Sequence, residues 1–247
     1  MEIQYGTSTG QVRENNEDYA EVYYNQSGQP LALLADGMGG HNAGDVASKL
    51  LVTTLGELFC ETENLTIEAA KEWLDETIKA QNRHIYQLGE EYERMSGMGT
   101  TIVAVAIIKG YAIIAHVGDS RVYEYKENQL TCLTEDHSLV NELLRSGGIT
   151  EEMAENHPQK HYLTRTIGMK GDIQVDISLE TLKGEEQFLL CSDGLTNMVD
   201  DEHIKEVMAQ PTLVATKVTA LIEAANIAGG RDNITVMIID CKEGSAS

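Results

Sequence analysis

The chain has 247 residues, enough for a sizeable hydrophobic core in one large domain or two small ones. Its 40 acidic and 18 basic residues give a formal net charge of −22, which disfavours binding to nucleic acids and to anionic membrane surfaces. With 3 prolines and no Pro- or Ser-rich linker, the sequence favours a single domain over residues 1–241, followed by a flexible polar tail at residues 242–247.

The order of the predicted elements is typical of an α+β protein. Two strands at residues 20–24 and 31–35, joined by a turn at Ser27-Gly28-Gln29, precede two helices at residues 43–60 and 67–92. The later predicted elements are strands at residues 100–108, 112–117, 121–125, 130–133, 173–179, 187–191 and 234–239, hairpin turns at Lys109-Gly110 and Glu127-Asn128, and helices at residues 201–208 and 213–228. This order predicts antiparallel sheet covered by helices, rather than alternating parallel βαβ units.

The cysteine content and the N-terminus indicate a cytoplasmic protein. Cys60, Cys132, Cys191 and Cys241 form no C-x-x-C pair, and we interpret them as reduced, mostly buried thiols. The first residues lack the basic region and apolar core of a secretion signal. No apolar run approaches the length of a membrane span, so we expect no membrane insertion.

Five aspartates lie at the ends of predicted strands, several of them beside a glycine: Asp18, Asp36, Asp119, Asp193 and Asp232. A single Asp-Gly pair after a strand is usually only a turn, because aspartate bonds its own backbone and glycine tolerates positive φ. Four or five such sites in one chain are harder to explain as independent turns. If these strands are neighbours, the carboxylates meet at one edge of the sheet.

Carboxylates that converge in this way require cations. Without cations they repel one another, and their pKa values rise. Hard oxygen ligands select Mg²⁺, Mn²⁺ or Ca²⁺ rather than zinc or copper. The sequence contains neither the D-x-D-x-D-G loop of an EF-hand nor a zinc-binding spacing among its histidines. His116 lies inside an apolar strand and is interpreted as a packed core residue rather than a ligand.

Two further features suit an anion. Arg13 offers a bidentate fork for two phosphate oxygens, although a surface salt bridge to one of the acids at residues 14–18 explains it equally well in isolation. The segment Gly37-Met38-Gly39-Gly40 could hold an anion at the start of the next helix. It is not a Walker loop, because no Gly-Lys-Ser/Thr follows.

Six short segments combine these residues in one order along nearly the whole chain: Arg13-Glu14-Asn15-Asn16-Glu17-Asp18, Leu34-Ala35-Asp36-Gly37-Met38-Gly39-Gly40-His41, Gly99-Thr100-Thr101, Val117-Gly118-Asp119-Ser120-Arg121, Leu190-Cys191-Ser192-Asp193-Gly194-Leu195 and Arg231-Asp232-Asn233-Ile234-Thr235. Together they resemble the metal-dependent protein phosphatase family, the type 2C Ser/Thr phosphatases, and particularly its compact bacterial members. The resemblance implies a four-layer α-β-β-α sandwich with two central antiparallel sheets and a metal site at one end of the sheets.

The resemblance also implies two or three Mn²⁺ or Mg²⁺ ions, with Asp36 bridging two of them. The implied metal ligands are Asp18, Asp36, the carbonyl of Gly37, Asp119, Asp193 and Asp232. Asp119 and Asp193 correspond to the ligands of a third ion in bacterial members. Either Glu17 or Asp18 orients a metal-bound water; we assign Asp18 to the ligands and Glu17, with Asn233, to the residues that support them.

By the same resemblance, the chain hydrolyses phosphoserine and phosphothreonine in proteins. Arg13 holds the phosphate, and Arg13, Asp36, Asp193 and Asp232 form the catalytic group. A hydroxide shared by two cations attacks phosphorus directly, without a covalent phosphoenzyme. The implied partners are a bacterial Ser/Thr protein kinase and its targets, and we expect a monomer.

The motifs leave two candidates for the general acid, and they place a flap beside the site. Many eukaryotic relatives have a histidine directly after the Asp-Gly pair, whereas this chain has Met38; His41 and a metal-bound water are the alternatives. The polar segment at residues 138–164 corresponds to the flap of the family, and its low apolar content predicts mobility.

Two other classes of function stay open at this point. A module that recognises phosphorylated proteins without catalysis would usually lack some of the aspartates that this chain retains. An acidic protein that binds divalent ions only for stability leaves Arg13 and the glycine segment without a purpose. A metal titration separates these classes, because a purely structural site predicts a shift in melting temperature without hydrolysis.

Overall fold

A computed structural model of the chain describes residues 1–39, 43–155 and 157–242. Two residues named above, Gly40 and His41, lie outside the described residues, as does nearly all of the predicted tail, from residue 243 onward.

The strands, in chain order, are β1 (Glu2–Ser8), β2 (Asp18–Tyr24), β3 (Pro30–Met38), β4 (Gly99–Thr100), β5 (Ile102–Ile108), β6 (Tyr111–Val117), β7 (Arg121–Lys126), β8 (Gln129–Cys132), β9 (Asp176–Thr181), β10 (Gln187–Cys191) and β11 (Ile234–Asp240). The helices are α1 (Ala43–Cys60), α2 (Ile67–Glu91), α3 (Leu139–Arg145), α4 (Glu151–Glu155), α5 (Asp193–Thr196), α6 (Asp201–Ala209) and α7 (Val214–Ile227). The predicted long helices are therefore observed within one or two residues of their expected ends.

The strands form two antiparallel sheets. The first sheet has the order β2-β3-β5-β6-β9, with the short β4 paired to the end of β3, and the second sheet has the order β1-β11-β10-β7-β8. Both predicted hairpin turns are present, with positive φ at Lys109, Glu127 and Asn128.

The two sheets stack between two layers of helices. Alternate residues of β3 face opposite sides, so Leu31 and Leu33 pack on α1 and α2, whereas Ala32 and Leu34 pack against the second sheet. The outer face of the second sheet is covered by α6 and α7. A strand buried on both faces reads as a continuous apolar run, which is the pattern of residues 31–35. The predicted four-layer α-β-β-α sandwich is confirmed.

The main difference from the predicted elements is β1. Its sequence is mostly polar and its residues are exposed or half-buried, so no apolar pattern marks it as a strand. Its pairing with β11, from Glu2 opposite Asp240 to Ser8 opposite Ile234, makes it the edge of the sheet. The strand predicted at residues 173–179 is also shifted, because pairing with β6 begins only at Asp176.

The four cysteines are free thiols, as predicted, but they are less buried than predicted. Cys191 is buried, Cys60 and Cys241 are half-buried, and Cys132 is exposed. Among the described residues, no helix combines the length and apolar character needed to cross a membrane.

Candidate active site

Asp18 and Asp36 face each other across neighbouring strands. The register of β2 and β3 places Asp18 directly opposite Asp36. Because side chains alternate along a strand, Asp36 lies on the face of Ala32 and Leu34, which pack between the two sheets. Both carboxyl groups are therefore directed to the space between the sheets, at the end where β3 leaves the core.

Two threonines hold the backbone of Asp36. The Asp36 amide donates to Thr101 Oγ1 at 2.9 Å, and the Asp36 carbonyl accepts from the Thr101 amide and from Thr100 Oγ1, both at 2.8 Å. At the next residue, Gly37, a Cβ atom would collide with the backbone carbonyl of Gly44 in α1. Only glycine permits this close approach of strand and helix.

Asp119 lies in the turn between β6 and β7. Gly118 before it has a φ of +113°, and a Cβ atom there would lie 2.5 Å from the Thr101 side chain. Ser120 after it shares a hydrogen bond of 2.7 Å with Thr101 Oγ1. The threonine that positions Asp36 therefore also positions the turn of Asp119.

Asp193 and Asp232 come from the other sheet. Asp193 is the first residue of α5, directly after β10, and its Oδ2 accepts from Asn197 Nδ2 at 2.9 Å. Asp232 precedes β11, and its Oδ1 accepts from the Asn233 amide at 2.9 Å. Because β10 and β11 are antiparallel, the end of one lies beside the start of the other. The two turns touch: a Cβ atom on Gly194 would collide with the Asn233 carbonyl.

Asn233 and Ser192 join the two sheets at this end. Asn233 Oδ1 accepts from the Glu17 amide at 2.8 Å, and Asn233 Nδ2 donates to the Thr9 carbonyl at 3.0 Å. Ser192 Oγ donates to Asp18 Oδ2 at 2.7 Å. The segment before β2 is thereby fixed to the loop before β11.

Arg13 lies at the outer edge of this group. Its Nη2 donates to Asp232 Oδ2 at 2.8 Å, and 53% of the Arg13 side chain is exposed. The ion-pair partner is thus distant in sequence and is not one of the acids at residues 14–18. The guanidinium makes no other hydrogen bond to a described residue, and Arg13 lines the cleft.

These side chains line one cleft of about 440 Å³. The sequence-predicted residues on its walls are Arg13, Glu17, Asp36, Gly37, Asp119, Asp193, Asp232 and Asn233. Asp18 is not on the walls, because it is buried behind them with 6% exposure. The cleft is also lined by Thr101, which lies in the motif Gly99-Thr100-Thr101 but was assigned no site role. Its other walls come from the flap and the segment after it, which no motif singled out: His161, Tyr162, Leu163, Thr166 and Met169.

Burial and mutual repulsion raise the pKa values of four of these carboxyl groups. Burial, followed by the charges of Asp18 and Asp193, raises the pKa of Asp36 well above its usual range. Burial is also the main cause that raises the pKa of Asp18 and that of Asp119 to about 7 each. Burial and the charge of Asp232 raise the pKa of Asp193. Such a cluster either keeps protons near neutral pH or is neutralised by cations.

These pKa values predict how the stability of the metal-free protein depends on pH. The pKa of Asp119 is about 7 in the folded chain and about 3.9 in the unfolded chain, so the folded state binds more protons between these values. Stability is therefore lost as pH rises through about 7. In a chelator, we expect the free energy of unfolding to fall between about pH 5 and 8, and to fall by about 2–3 kcal/mol less in Asp119→Asn. Urea unfolding at the two pH values measures this, and equal losses in both proteins would contradict it.

Comparison with known proteins identifies the family. The family profile described as protein phosphatase 2C matches residues 5–225 of the chain. The chain belongs to the protein phosphatase 2C family. It is 44% identical over 246 residues to protein phosphatase PhpP of Streptococcus pneumoniae, covering 100% of both chains, and 43% identical over 241 residues to serine/threonine phosphatase stp of Listeria monocytogenes, covering 97% of this chain and 96% of that one.

Solved structures of the protein phosphatase 2C family agree with this assignment. The serine/threonine phosphatase of S. agalactiae superposes with a TM-score of 0.93 at 43% identity, covering 96% of this chain and 98% of that one. The Mycobacterium tuberculosis phosphatase PstP/Ppp gives a TM-score of 0.86 at 36% identity, with 98% and 99% coverage. The family and the enzyme class, a protein phosphatase, are therefore confirmed as the motifs predicted.

In this protein phosphatase 2C chain, the flap is anchored at its two ends. Ser138 pairs with Leu163, and the Leu139 amide donates to the Tyr162 carbonyl at 2.9 Å. Between these anchors, α3 contributes no buried residue to any core. This is consistent with the low apolar content of the sequence there, and the mobility of the flap stays a prediction.

A second group of potential ligands lies behind the protein phosphatase 2C cleft. His116, His137 and Asp176 place one ligand atom each within 4.8 Å of one another and could hold a metal ion. However, Arg165 Nη1 lies 2.8 Å from Asp176 Oδ1 and 3.0 Å from His137 Nε2, so a guanidinium already supplies the positive charge. His137 Nδ1 accepts from the Gly118 amide at 3.0 Å, so Nε2 carries the proton of the neutral ring.

The consequence is a structural role for this second group. Burial lowers the pKa of His137 to about 4, which keeps its ring neutral near pH 7. The group fastens the flap base to the turn after β6, because the Thr164 amide donates to the His137 carbonyl at 2.8 Å. His116 is buried, as its interpretation as a packed core residue requires.

Proposed function

We propose that the chain is a metal-dependent protein serine/threonine phosphatase that hydrolyses phosphoserine and phosphothreonine directly, without a covalent phosphoenzyme. The observation that carries this proposal is the convergence of four cleft-lining aspartates, from both sheets, with Arg13 at the edge of the same cleft. The names of the relatives in Listeria and S. agalactiae, both serine/threonine phosphatases, support the substrate class, and the S. pneumoniae relative is named a protein phosphatase.

The donor set fits divalent cations. The side chains are carboxylates, hard oxygen donors that suit Mg²⁺ and Mn²⁺. Asp18 Oδ1 is buried and has no hydrogen-bond partner among the described residues, and the pKa of Asp18 is raised to about 7. A cation would remove both costs. We assign the ligands to Asp18, Asp36, the Gly37 carbonyl, Asp193 and Asp232, with Asp119 and Asp193 at a third ion.

The residues of the chain have distinct parts in the proposed reaction. When bound, the cations lower the pKa of water and neutralise phosphate charge. Asp36 is fixed through its backbone by two threonines, so it needs little reorganisation to bind cations. Asn233 and Glu17 hold the loops that carry the ligands, through the bond between the Asn233 side chain and the Glu17 amide. Arg13 supplies N–H donors to the phosphate oxygens and orients the ester in the cleft.

The phosphate role of Arg13 predicts a loss in substrate binding. Charge-assisted hydrogen bonds contribute about 1.5–3 kcal/mol, so Arg13→Ala should lower kcat/KM by roughly 10- to 100-fold, mainly through KM. Arg13→Lys should recover only part of this loss, because an ammonium group lacks the bidentate fork. Steady-state kinetics on a phosphothreonine peptide measure the effect. An unchanged KM, with a loss of thermal stability instead, would assign Arg13 to its ion pair with Asp232 alone.

The biological setting is part of the same proposal. We infer that a serine/threonine protein kinase and its targets supply the substrates, that the enzyme acts in the cytoplasm as a monomer, and that it binds no nucleic acid. The net charge of −22 supports the last point. Met38 lines the cleft but has no ionisable group, so it cannot be the general acid. Of the two alternatives, His41 lies outside the described residues.

The proposed function is tested by phosphate release from a phosphothreonine peptide with Mn²⁺, Mg²⁺, Ca²⁺ or a chelator. Hydrolysis with Mn²⁺ or Mg²⁺ and none in the chelator is the expected result. A rise in melting temperature with metal but no hydrolysis would favour an ion site that only stabilises the fold. Peptide binding without hydrolysis would favour a recognition module.

A further inference from the structure

A second cavity, of about 480 Å³, opens directly beside the active-site cleft. It is lined by Arg13, Lys160, His161, Asp193, Gly194, Asn197, Met198, Arg231 and Asp232. Arg13, His161, Asp193 and Asp232 also line the cleft itself, so the two spaces adjoin and share four side chains.

The charge of this cavity is opposite to that of the protein as a whole. The chain has 40 acidic residues and 18 basic ones, yet three basic residues line this cavity. The two acidic residues on its walls, Asp193 and Asp232, belong to the proposed metal ligands, and Asp232 is already paired with Arg13. Lys160 and Arg231 form no ion pair with a described residue.

Lys160 and Arg231 come from two separate segments of the chain. Lys160 comes from the flap, and Arg231 comes from the loop immediately before Asp232. A Cβ atom on Gly229 would lie 3.8 Å from Arg231 Cγ and 3.9 Å from Nε, so the arginine lies along its own loop beside the cavity. Arg231 is thereby one residue from a proposed metal ligand and lines the same cavity as Lys160.

We propose that this cavity is a subsite for a second anionic group of the substrate, either a phosphate or a carboxylate, close in sequence to the residue being dephosphorylated. This inference rests on the proposed function, because it extends the substrate beyond the phosphoester in the cleft. An extended peptide advances about 3.3 Å per residue, so a group two or three residues from the phosphorylated residue lies roughly 7–10 Å from it, the scale of an adjoining cavity.

Physical chemistry favours such a ligand at this place. A surface of net charge −22 repels acidic peptides in general, so an acidic substrate binds only where the local charge is reversed. Both guanidinium and ammonium groups donate hydrogen bonds to phosphate and carboxylate, and Lys160 and Arg231 are both exposed, so a substrate can reach them. A phosphate carries about −1.5 to −2 charges at pH 7, so we expect it to bind better than a glutamate.

The test compares peptides on the same enzyme. All peptides carry one phosphothreonine. In the first peptide its neighbours are neutral, in the second a glutamate is nearby, and in the third a phosphoserine is nearby. A fourth peptide, the control for the third, has the non-hydrolysable phosphonate analogue in place of the phosphoserine. The measured quantity is the ratio of kcat/KM for the doubly anionic peptide to that for the neutral peptide. General losses of activity cancel in this ratio.

For the unaltered chain, we expect a ratio of about five to ten for the second phosphate, a smaller ratio for glutamate, and a decline of both with salt. In a Lys160→Gln, Arg231→Gln double variant, the ratio should fall to about one. Lys183→Gln is the matched control, because Lys183 is exposed and precedes β10, whereas the cavity lies beyond the other end of β10. This variant should keep the ratio of the unaltered chain.

The outcomes separate the two proposals. A ratio near one in the unaltered chain, or a ratio that survives in the double variant, overturns the subsite while the phosphatase proposal stands. A preference for glutamate equal to that for phosphate supports a carboxylate as the ligand. If no peptide is hydrolysed with Mn²⁺ or Mg²⁺, the proposed function itself fails, and binding of the doubly anionic peptide measured by calorimetry then decides the subsite.

Discussion

Asp36→Asn is expected to lower kcat/KM by about 10³-fold or more in saturating Mn²⁺, while the fold stays intact. Asp36 lies opposite Asp18 and in the same cleft as Asp119, Asp193 and Asp232, with which it would hold the proposed cations. Cations contribute several kcal/mol of transition-state stabilisation, and each 1.36 kcal/mol corresponds to about tenfold in rate. An amide is a neutral and weaker ligand, so the variant binds the ions poorly.

The same variant is expected to stabilise the metal-free protein. Burial and the neighbouring carboxylates raise the pKa of Asp36, so its ionised form destabilises the folded chain near neutral pH. Removing this charge should raise the free energy of unfolding in a chelator, which urea unfolding at neutral pH measures. The loss of activity and the gain in stability would then come from one cause, the crowding of carboxylates that cations relieve.

Asp75→Asn is the matched control for Asp36→Asn. Asp75 lies on α2, where its one ion pair with a described residue is to the half-buried Lys79 at 2.7 Å, so the change removes the same charge away from the cleft. We expect nearly unchanged kinetics and a stability change below about 0.5 kcal/mol. If Asp36→Asn hydrolyses p-nitrophenyl phosphate at the rate of the unaltered chain, the site assignment is wrong.

Gly194→Ala is expected to have the second-largest effect, by separating the two turns that carry Asp193 and Asp232. The new methyl group would overlap the carbonyl oxygen of Asn233, which is backbone and has no rotamer to move away. Overpacking of this kind costs about 3 kcal/mol, and relief of the overlap requires the two loops to separate. Activity should fall at least about 100-fold, and the increase of melting temperature with Mn²⁺ should shrink.

Gly148→Ala provides the comparison for Gly194→Ala. A Cβ atom at Gly148 has its closest neighbour at 3.4 Å, an ordinary contact, and φ at this position needs no glycine. Melting curves with and without Mn²⁺ should match those of the unaltered chain. If Gly194→Ala behaves in the same way, the contact between the two turns does not determine the metal site.

The predictions from sequence succeeded where local pattern and local chemistry coincide. Apolar spacing located α1 and α2 because each helix buries one face against the first sheet. The turns at Lys109-Gly110 and Glu127-Asn128 were found because positive φ favours a short list of residues. Local pattern failed at β1, whose polar residues become a strand only by pairing with β11.

The candidate site was predicted as a set of residue types but not as a geometry. The sequence located the aspartates at strand ends, and the resemblance assigned their roles. The sequence did not identify the flap residues His161 and Tyr162 as walls of the cleft, because their position depends on the anchoring of the flap at Ser138 and Leu163. It also gave no sign that Thr101 holds Asp36 and the turn of Asp119 together.

The amino-acid sequence by itself determined the family, the excess of acidic groups and the glycines that strand-end turns require. Only the tertiary structure decided that Asp36, on one sheet, and Asp193 and Asp232, on the other, share one cleft. It alone also decided that the basic side chains of Lys160 and Arg231 lie beside that cleft. The physical reason is that turns and helices follow from neighbours a few residues apart. The meeting of carboxylates more than 150 residues apart follows instead from the stacking of two sheets, which depends on the packing of the whole core.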